Sequence, residues 1–297
     1  MSAPSAEALG ALAALGSALT WAVTSLLVRT LIPTFHAVAI NALRCVVSGA
    51  LLLGLILLTG GGGALAAISP PTLWLLVVSI LAAVGVGDTA FFDSTRRLGL
   101  GRGMSIAMTY PLVAAVLAVT FLDEPVTARV LLGALLTLGG VFLIVSARRD
   151  DAVREASPWW LGVAGATAAA MAWGVSSVLM KAPLRELDAV TAQAVRLPLA
   201  GVLLLATPWS RGVLGQLRAS GRAIVGCLAA VSLLTAVSSV MYMAGLKYAG
   251  VTVATVLSST APMFAIPLGL VFLGERVSVA PVLGTVATIA GIVVLQW

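Results

Sequence analysis

WAVTSLLVR, Trp21 to Arg29, returns 152 residues later as WGVSSVLMK, Trp173 to Lys181. Single apolar matches carry little weight in a chain so rich in Leu, Ala and Val, but this match pairs a Trp and a cation. Other blocks follow in the same order. HAVAINALR, His36 to Arg44, matches DAVTAQAVR, Asp188 to Arg196, at the same offset. TYPLVAAVLAVTFLDE, Thr109 to Glu124, matches TAPMFAIPLGLVFLGE, Thr260 to Glu275, at an offset of 151, as does GALLTLGGVFLI from Gly133 with GTVATIAGIVVL from Gly284. Paired Trp, paired amide-x-x-Arg, paired Pro and paired terminal Glu in one order mark a duplication.

Both copies are membrane-like. Of 297 residues, 60% are hydrophobic and 9% charged, against roughly 25% charged in soluble domains. Apolar runs long enough to cross a hydrocarbon core of roughly 30 Å recur throughout. Cuts at Gly, Pro and charge clusters predict ten transmembrane helices near 9–28, 36–58, 72–95, 100–122, 127–146, 159–180, 188–208, 222–246, 250–273 and 278–297. The fold class is therefore an all-α integral membrane protein. It divides into a first five-helix repeat over 1–146, a charged linker over 147–158 and a second repeat over 159–297. Because five is odd, the second repeat enters the membrane with the opposite orientation. Inverted repeats are a hallmark of secondary transporters, whose substrate site lies near the midplane where the halves meet.

The first run follows an N-terminus without Lys or Arg, unlike a cleaved signal peptide, and reads as a retained helix. Cys45 and Cys227 lie in apolar runs with no ligand or disulfide spacing and read as packing residues. The basic residues are scattered over short connections, which excludes a nucleic-acid surface. LTGGGG, Leu58 to Gly63, lacks the Lys and Ser/Thr of a phosphate loop and reads as a connection. No metal set or cofactor motif is present, and the sole histidine, His36, has no second member for a relay.

The pattern resembles the EamA-type branch of the drug/metabolite transporter superfamily. Trp21 and Arg29 carry the likeness in the first repeat, with Pro111 and the end LDE; Trp173, Lys181, Pro262 and the end LGE carry it in the second. The resemblance covers nearly the whole chain and implies a multi-pass protein of a bacterial-type plasma membrane that moves small metabolites. LDEP, Leu122 to Pro125, departs from the family's Gly before Glu. The resemblance also implies termini inside the cell, whereas the excess of basic residues on the linker side implies termini outside.

Candidate site residues follow from depth. Asp93 lies three and four residues before Arg96 and Arg97, the spacing of a same-helix ion pair. Asp88 is some seven residues, about 10 Å, inside the end of the third span. A mid-membrane charge costs roughly 2.5 to 3.5 kcal/mol on insertion scales and needs a partner. Arg44, about 12 Å into the antiparallel second span, lies at nearly the same depth, so a buried or water-bridged pair is predicted. Arg196 repeats Arg44, but Ser239 stands in the place of Asp88. A substrate carboxylate or phosphate would supply the missing charge; the alternatives are arginines that snorkel or bond to helix carbonyls, and an Asp88 that exchanges a proton during the cycle. Asn41 and Gln193, three residues before the arginines, would fix the guanidiniums, bind substrate or pack between helices. Trp21, Thr24, Trp173 and Ser177 are read as cavity lining, and Pro111 and Pro262 as mid-helix gating kinks. Glu124 and Glu275 read as helix-end residues.

The expected function is a secondary transporter, an exporter of amino-acid-like or other anionic or zwitterionic compounds, working by alternating access without a cofactor. The partners are a small molecule and the lipid bilayer, with proton coupling as an option. The alternative is a membrane enzyme acting on lipids or lipid-linked sugars, using Asp88 and Asp93. Those two carboxylates, however, point about 140° apart on a helix. A scaffold or channel would leave the inverted repeat without a role.

Overall fold

A computed structural model of the chain describes residues 5–121, separate positions between 128 and 143, and residues 158–274 and 279–296. Glu124, Glu275, LDEP, most of the linker and much of the fifth predicted span lie outside the described residues. Every regular element among the described residues is helical. Seven helical spans are long and apolar enough to cross a membrane, two of them, Leu100–Leu117 and Val253–Leu273, running through a short break, or eight if a pair bent by 86°, Ala189–Leu205 with Pro208–Ala219, counts as one span.

The helices are α1 (Ala6–Leu31), α2 (Ala37–Leu58), α3 (Pro70–Leu98), α4 (Leu100–Ala107), α5 (Tyr110–Phe121), α6 (Trp159–Leu179), α7 (Ala189–Leu205), α8 (Val213–Ala219), α9 (Arg222–Tyr248), α10 (Gly250–Ser258), α11 (Ala261–Leu273) and α12 (Val279–Gln296). Their starts repeat as the sequence does. His36 caps α2 by accepting from the Val38 amide, and Asp188 caps α7 by accepting from the amides of Val190 and Thr191, which satisfies orphan N–H groups of the first turn. Gly99 and Gly250, 151 residues apart, both take positive φ (88° and 82°) between the third and fourth helices of their repeats. That conformation is steric strain for any residue with a Cβ.

The repeats interlock rather than sit side by side. α1 of the first lies along α9 of the second, and α6 of the second along α3 of the first. The two second helices, α2 and α7, cross each other antiparallel: Gly49 meets Pro198, and Gly201 meets Val46. These two equivalent helices therefore run in opposite directions. In lipid there is little hydrophobic drive between helices, and close approach through small residues supplies the contact instead. Ala14, Ala18 and Ala22 on α1 are buried, and so are their counterparts on α6, Ala166, Ala170 and Gly174. The same device joins the last helices of the repeats. A Cβ on Gly140 would lie 2.3 Å from Thr288 Oγ1, and one on Gly291 2.5 Å from Thr137 Oγ1. Large apolar side chains such as Leu58, Trp74, Val271 and Phe272 are left outside, as a lipid-facing surface requires.

The structure corrects the prolines. Pro111 is the second residue of α5 and Pro262 the second of α11, each following a two-residue break at Met108–Thr109 or Ser259–Thr260. At a helix start the missing N–H costs nothing, so the two span centres hold a helix-to-helix joint rather than a kinked helix. The interior proline of α7 is Pro198, seated against Gly49.

The crossing of α2 and α7 gives a direct test. In Gly49→Val the new Cβ would fall 2.5 Å from the Pro198 ring and 2.6 Å from its backbone nitrogen. Overpacking of this kind costs roughly 1–3 kcal/mol, so thermal unfolding in detergent is expected several degrees lower. Gly54→Val, where nothing lies within 4 Å, is expected to leave it unchanged.

Candidate substrate cavity between the repeats

α3 carries a π-helical stretch, Leu81–Asp88, in its middle. Two glycines in LAAVGVGD thin the helix there, and a Cβ on Gly87 would lie 2.5 Å from the indole nitrogen of Trp173. The widened turn loosens the i to i−4 ladder, a feature often found at functional sites. Trp173 uses it: its Nε1 donates to the Ala83 carbonyl at 3.1 Å and to Asp88 Oδ1 at 2.8 Å. The other Asp88 oxygen forms an ion pair with Arg44.

Arg44 is 1% exposed, on α2, and its donors are distributed over both repeats. Nε donates to Asn41 Oδ1 at 2.8 Å, Nη1 to Thr235 Oγ1 on α9 at 3.0 Å, and Nη2 to Asp88. Asn41 in turn donates to Thr89 Oγ1 at 2.9 Å. The guanidinium carbon lies 5.3 Å from the Phe92 ring centre and 5.6 Å from that of Trp21, within cation–π range.

Arg196, 2% exposed on α7, is held differently. Nε donates to Ser79 Oγ at 3.1 Å, Nη2 to Ser176 Oγ at 3.1 Å, and Nη1 to Gln193 Oε1 at 3.2 Å with Met243 Sδ at 3.7 Å. All these partners are neutral, and no carboxylate among the described residues forms an ion pair with it. Gln193 passes its own amide hydrogen to the Ser239 carbonyl at 3.2 Å.

Both arginines face one cavity of about 820 Å³, its mouth included, between the repeats. Trp21, Trp173, Tyr110 and Tyr242 form much of its wall, with Ile80, Met108 and Leu197. The rings interlock edge to face, Trp21 on Trp173 at 5.8 Å and Tyr110 on Tyr242 at 6.5 Å. Six serines, Ser17, Ser176, Ser177, Ser238, Ser239 and Ser258, add hydroxyls. Among the described lining residues, two guanidiniums stand against one carboxylate, a net charge of +1.

Arg44 and Asp88 pair as their depths predict, and Trp21, Trp173, Ser177 and Arg196 line the cavity. Asn41 and Gln193 each bind the arginine three residues on, the first of the roles weighed for them. Thr24 and Asn41 are both fully buried and lie behind the residues that line the cavity; the Thr24 hydroxyl bonds back to the Thr20 carbonyl at 2.8 Å. Asp93 pairs with Arg96 and Arg97 away from the cavity, so it forms no acid pair with Asp88. Reasoning along the sequence missed Tyr110, Tyr242, Ser79, Ser176 and Thr235. A usable signal existed for Thr235, four residues before Ser239 and so on the same helical face. The others depend on which helices meet.

The profile of the EamA-like transporter family matches residues 8–146 and again residues 160–297. An uncharacterized transporter of Archaeoglobus fulgidus is 24% identical over 224 residues, covering 75% of this chain and 76% of its own. A protein of known crystal structure superposes with a TM-score of 0.68 over 96% of this chain and 94% of its own, at 18% identity, a likeness of fold alone. Matched once in each repeat and nearly end to end, this multi-pass membrane chain belongs to the EamA-like transporter family.

Proposed function

We propose that the chain is a secondary transporter that exports small anionic or zwitterionic metabolites by alternating access of the inter-repeat cavity. The observation that carries this reading is Arg196, a guanidinium buried in a cavity wall whose hydrogen-bond partners among the described residues are all neutral. A buried cation without a counter-charge is costly, and a substrate carboxylate or phosphate would offset that cost. Arg44, Asp88 and Trp173 line the same cavity, with Asn41 and Gln193 orienting the arginines. Trp21 and Ser177 shape the space between them. Asp88 is the single carboxylate among the described lining residues, so a coupled proton, if the cycle uses one, would reside there.

The reading has ten spans. Seven are the long apolar spans; Ala189–Leu205 with Pro208–Ala219 is taken as one bent span, Val279–Val294 is a shorter apolar helix, and the run at 127–146 is taken as the tenth. They group as an inverted pair of five-helix units over 1–146 and 159–297, joined by the linker at 147–158, in a bacterial-type plasma membrane. The joints before Pro111 and Pro262 are the candidate gating points, since a helix break concentrates a change of direction in two residues.

Small molecules in the medium of cells expressing the intact chain, compared with cells expressing Arg196→Gln at equal membrane level, test this function. One metabolite class is expected to accumulate outside only with the intact chain. Accumulation that is unaffected by both Arg196→Gln and Asp88→Asn would remove these residues from the site, and no accumulation of any class would remove export.

Trp173→Phe separates the indole hydrogen bond from the ring. Hydrogen bonds to charged groups contribute about 1.5–3 kcal/mol, so export is expected to fall about tenfold or more while the amount of protein in the membrane is unchanged.

A further inference from the structure

The two repeats place the same helices around the cavity but not the same charges. Phe92 and Met243, 151 residues apart, hold matching places, since Phe92 lies beneath Arg44 and Met243 against Arg196. The same offset sets Asp88 opposite Ser239. In the first constellation a carboxylate joins the arginine of its own repeat to the first-helix tryptophan of the other, Arg44 to Asp88 to Trp173. In the second, each element has its counterpart except the acid. Arg196 has neutral partners, Trp21 Nε1 is buried with no hydrogen-bond partner among the described residues, and Ser239 turns its hydroxyl to the Ala236 carbonyl at 3.1 Å. Three features that line the one cavity, the Arg196 cation, the Trp21 indole donor and a side chain shorter than Asp at Ser239, thus share a single missing complement.

We propose that the substrate's own carboxylate takes the part of Asp88 in the second repeat, held by Arg196 beside Ser239 and drawing on the Trp21 indole, with an apolar body against Trp173, Tyr110 and Tyr242. The substrate class is a monoanionic carboxylic acid. The wall carries two guanidiniums and one carboxylate among its described residues, so one net negative charge neutralises it. A dianionic phosphate would leave an excess of negative charge. A zwitterion would leave its ammonium without an acid, because both Asp88 oxygens are engaged by Arg44 and Trp173. This inference rests on the transport reading above and narrows its substrate.

The test uses the full chain in detergent micelles, with thermal unfolding as readout and hexanoate, hexylamine and zwitterionic 6-aminohexanoate as probes. Hexanoate is expected to raise the unfolding temperature by mass action, and the other two to act at least about tenfold more weakly: hexylamine loses the charge-assisted contact, and 6-aminohexanoate buries an ammonium without a partner. Arg196→Gln is expected to lose the hexanoate shift, with Arg196→Lys retaining part of it. Ser239→Asp is expected to supply the acid internally: the ligand-free protein unfolds at a higher temperature and no longer responds to hexanoate.

A hexanoate shift that survives in Arg196→Gln or Ser239→Asp overturns the proposal. So does a Ser239→Asp chain that is less stable than the natural one, an equal response to 6-aminohexanoate, or no response of the natural chain to hexanoate at any concentration the micelles tolerate. Liposome flux separates this site from the transport reading. A hexanoate shift without solute movement keeps the site and removes the transporter, whereas solute movement without a carboxylate response removes the site alone.

Discussion

The pairing of Arg44 with Asp88 at the depth of the membrane interior is the interaction on which the rest of the arrangement depends. Neither charge is tolerable there alone, and neither is satisfied by the other alone. Asp88 also needs the Trp173 indole, and Arg44 needs Asn41 and Thr235. These partners come from α2, α3, α6 and α9, so a single charge network ties both repeats around the cavity. The π-helical stretch of α3 is part of the same requirement. Its Ala83 carbonyl accepts from the indole nitrogen, and Gly87 admits the ring.

Around this network the chain holds together by shape more than by polarity. Gly49 against Pro198, Gly201 against Val46, and Gly140 and Gly291 against the threonines of each other's helices bring backbones close where the repeats cross. The alanine rows of α1 and α6 do the same along the cross-repeat pairs. Small residues serve here because lipid tails compete equally well for large apolar side chains. The duplicated contacts preserve the symmetry of the scaffold, and the unduplicated ones break it: Asp88 against Ser239, Phe91 against Tyr242. One exchange leaves a trace on the opposite helix. Ser177 bonds Tyr242 at 2.8 Å, whereas its counterpart Ser25 is buried with no partner among the described residues, since Phe91 has no hydroxyl. A symmetric frame with asymmetric lining gives the cavity two chemically different walls.

What the sequence determined by itself was the helical membrane class, the duplication, the opposed orientation of equivalent helices and the Arg44–Asp88 pair. Each rests on a quantity that survives without coordinates: composition, block order, the parity of five, or depth at a constant rise per residue. The neutral surroundings of Arg196 were legible in the same way, because Ser239 replaces an acid at a fixed offset. Tertiary structure alone decided the rest. Trp173 reaches Asp88 because α6 lies along α3, a pairing between residues far apart in the chain. Pro111 and Pro262 begin helices because the turns before them break the ladder, and Thr24, although on the same face of α1 as Trp21, is buried with its hydroxyl on the Thr20 carbonyl. Helical periodicity shows which residues share a face; only the packing of helix on helix decides what that face meets.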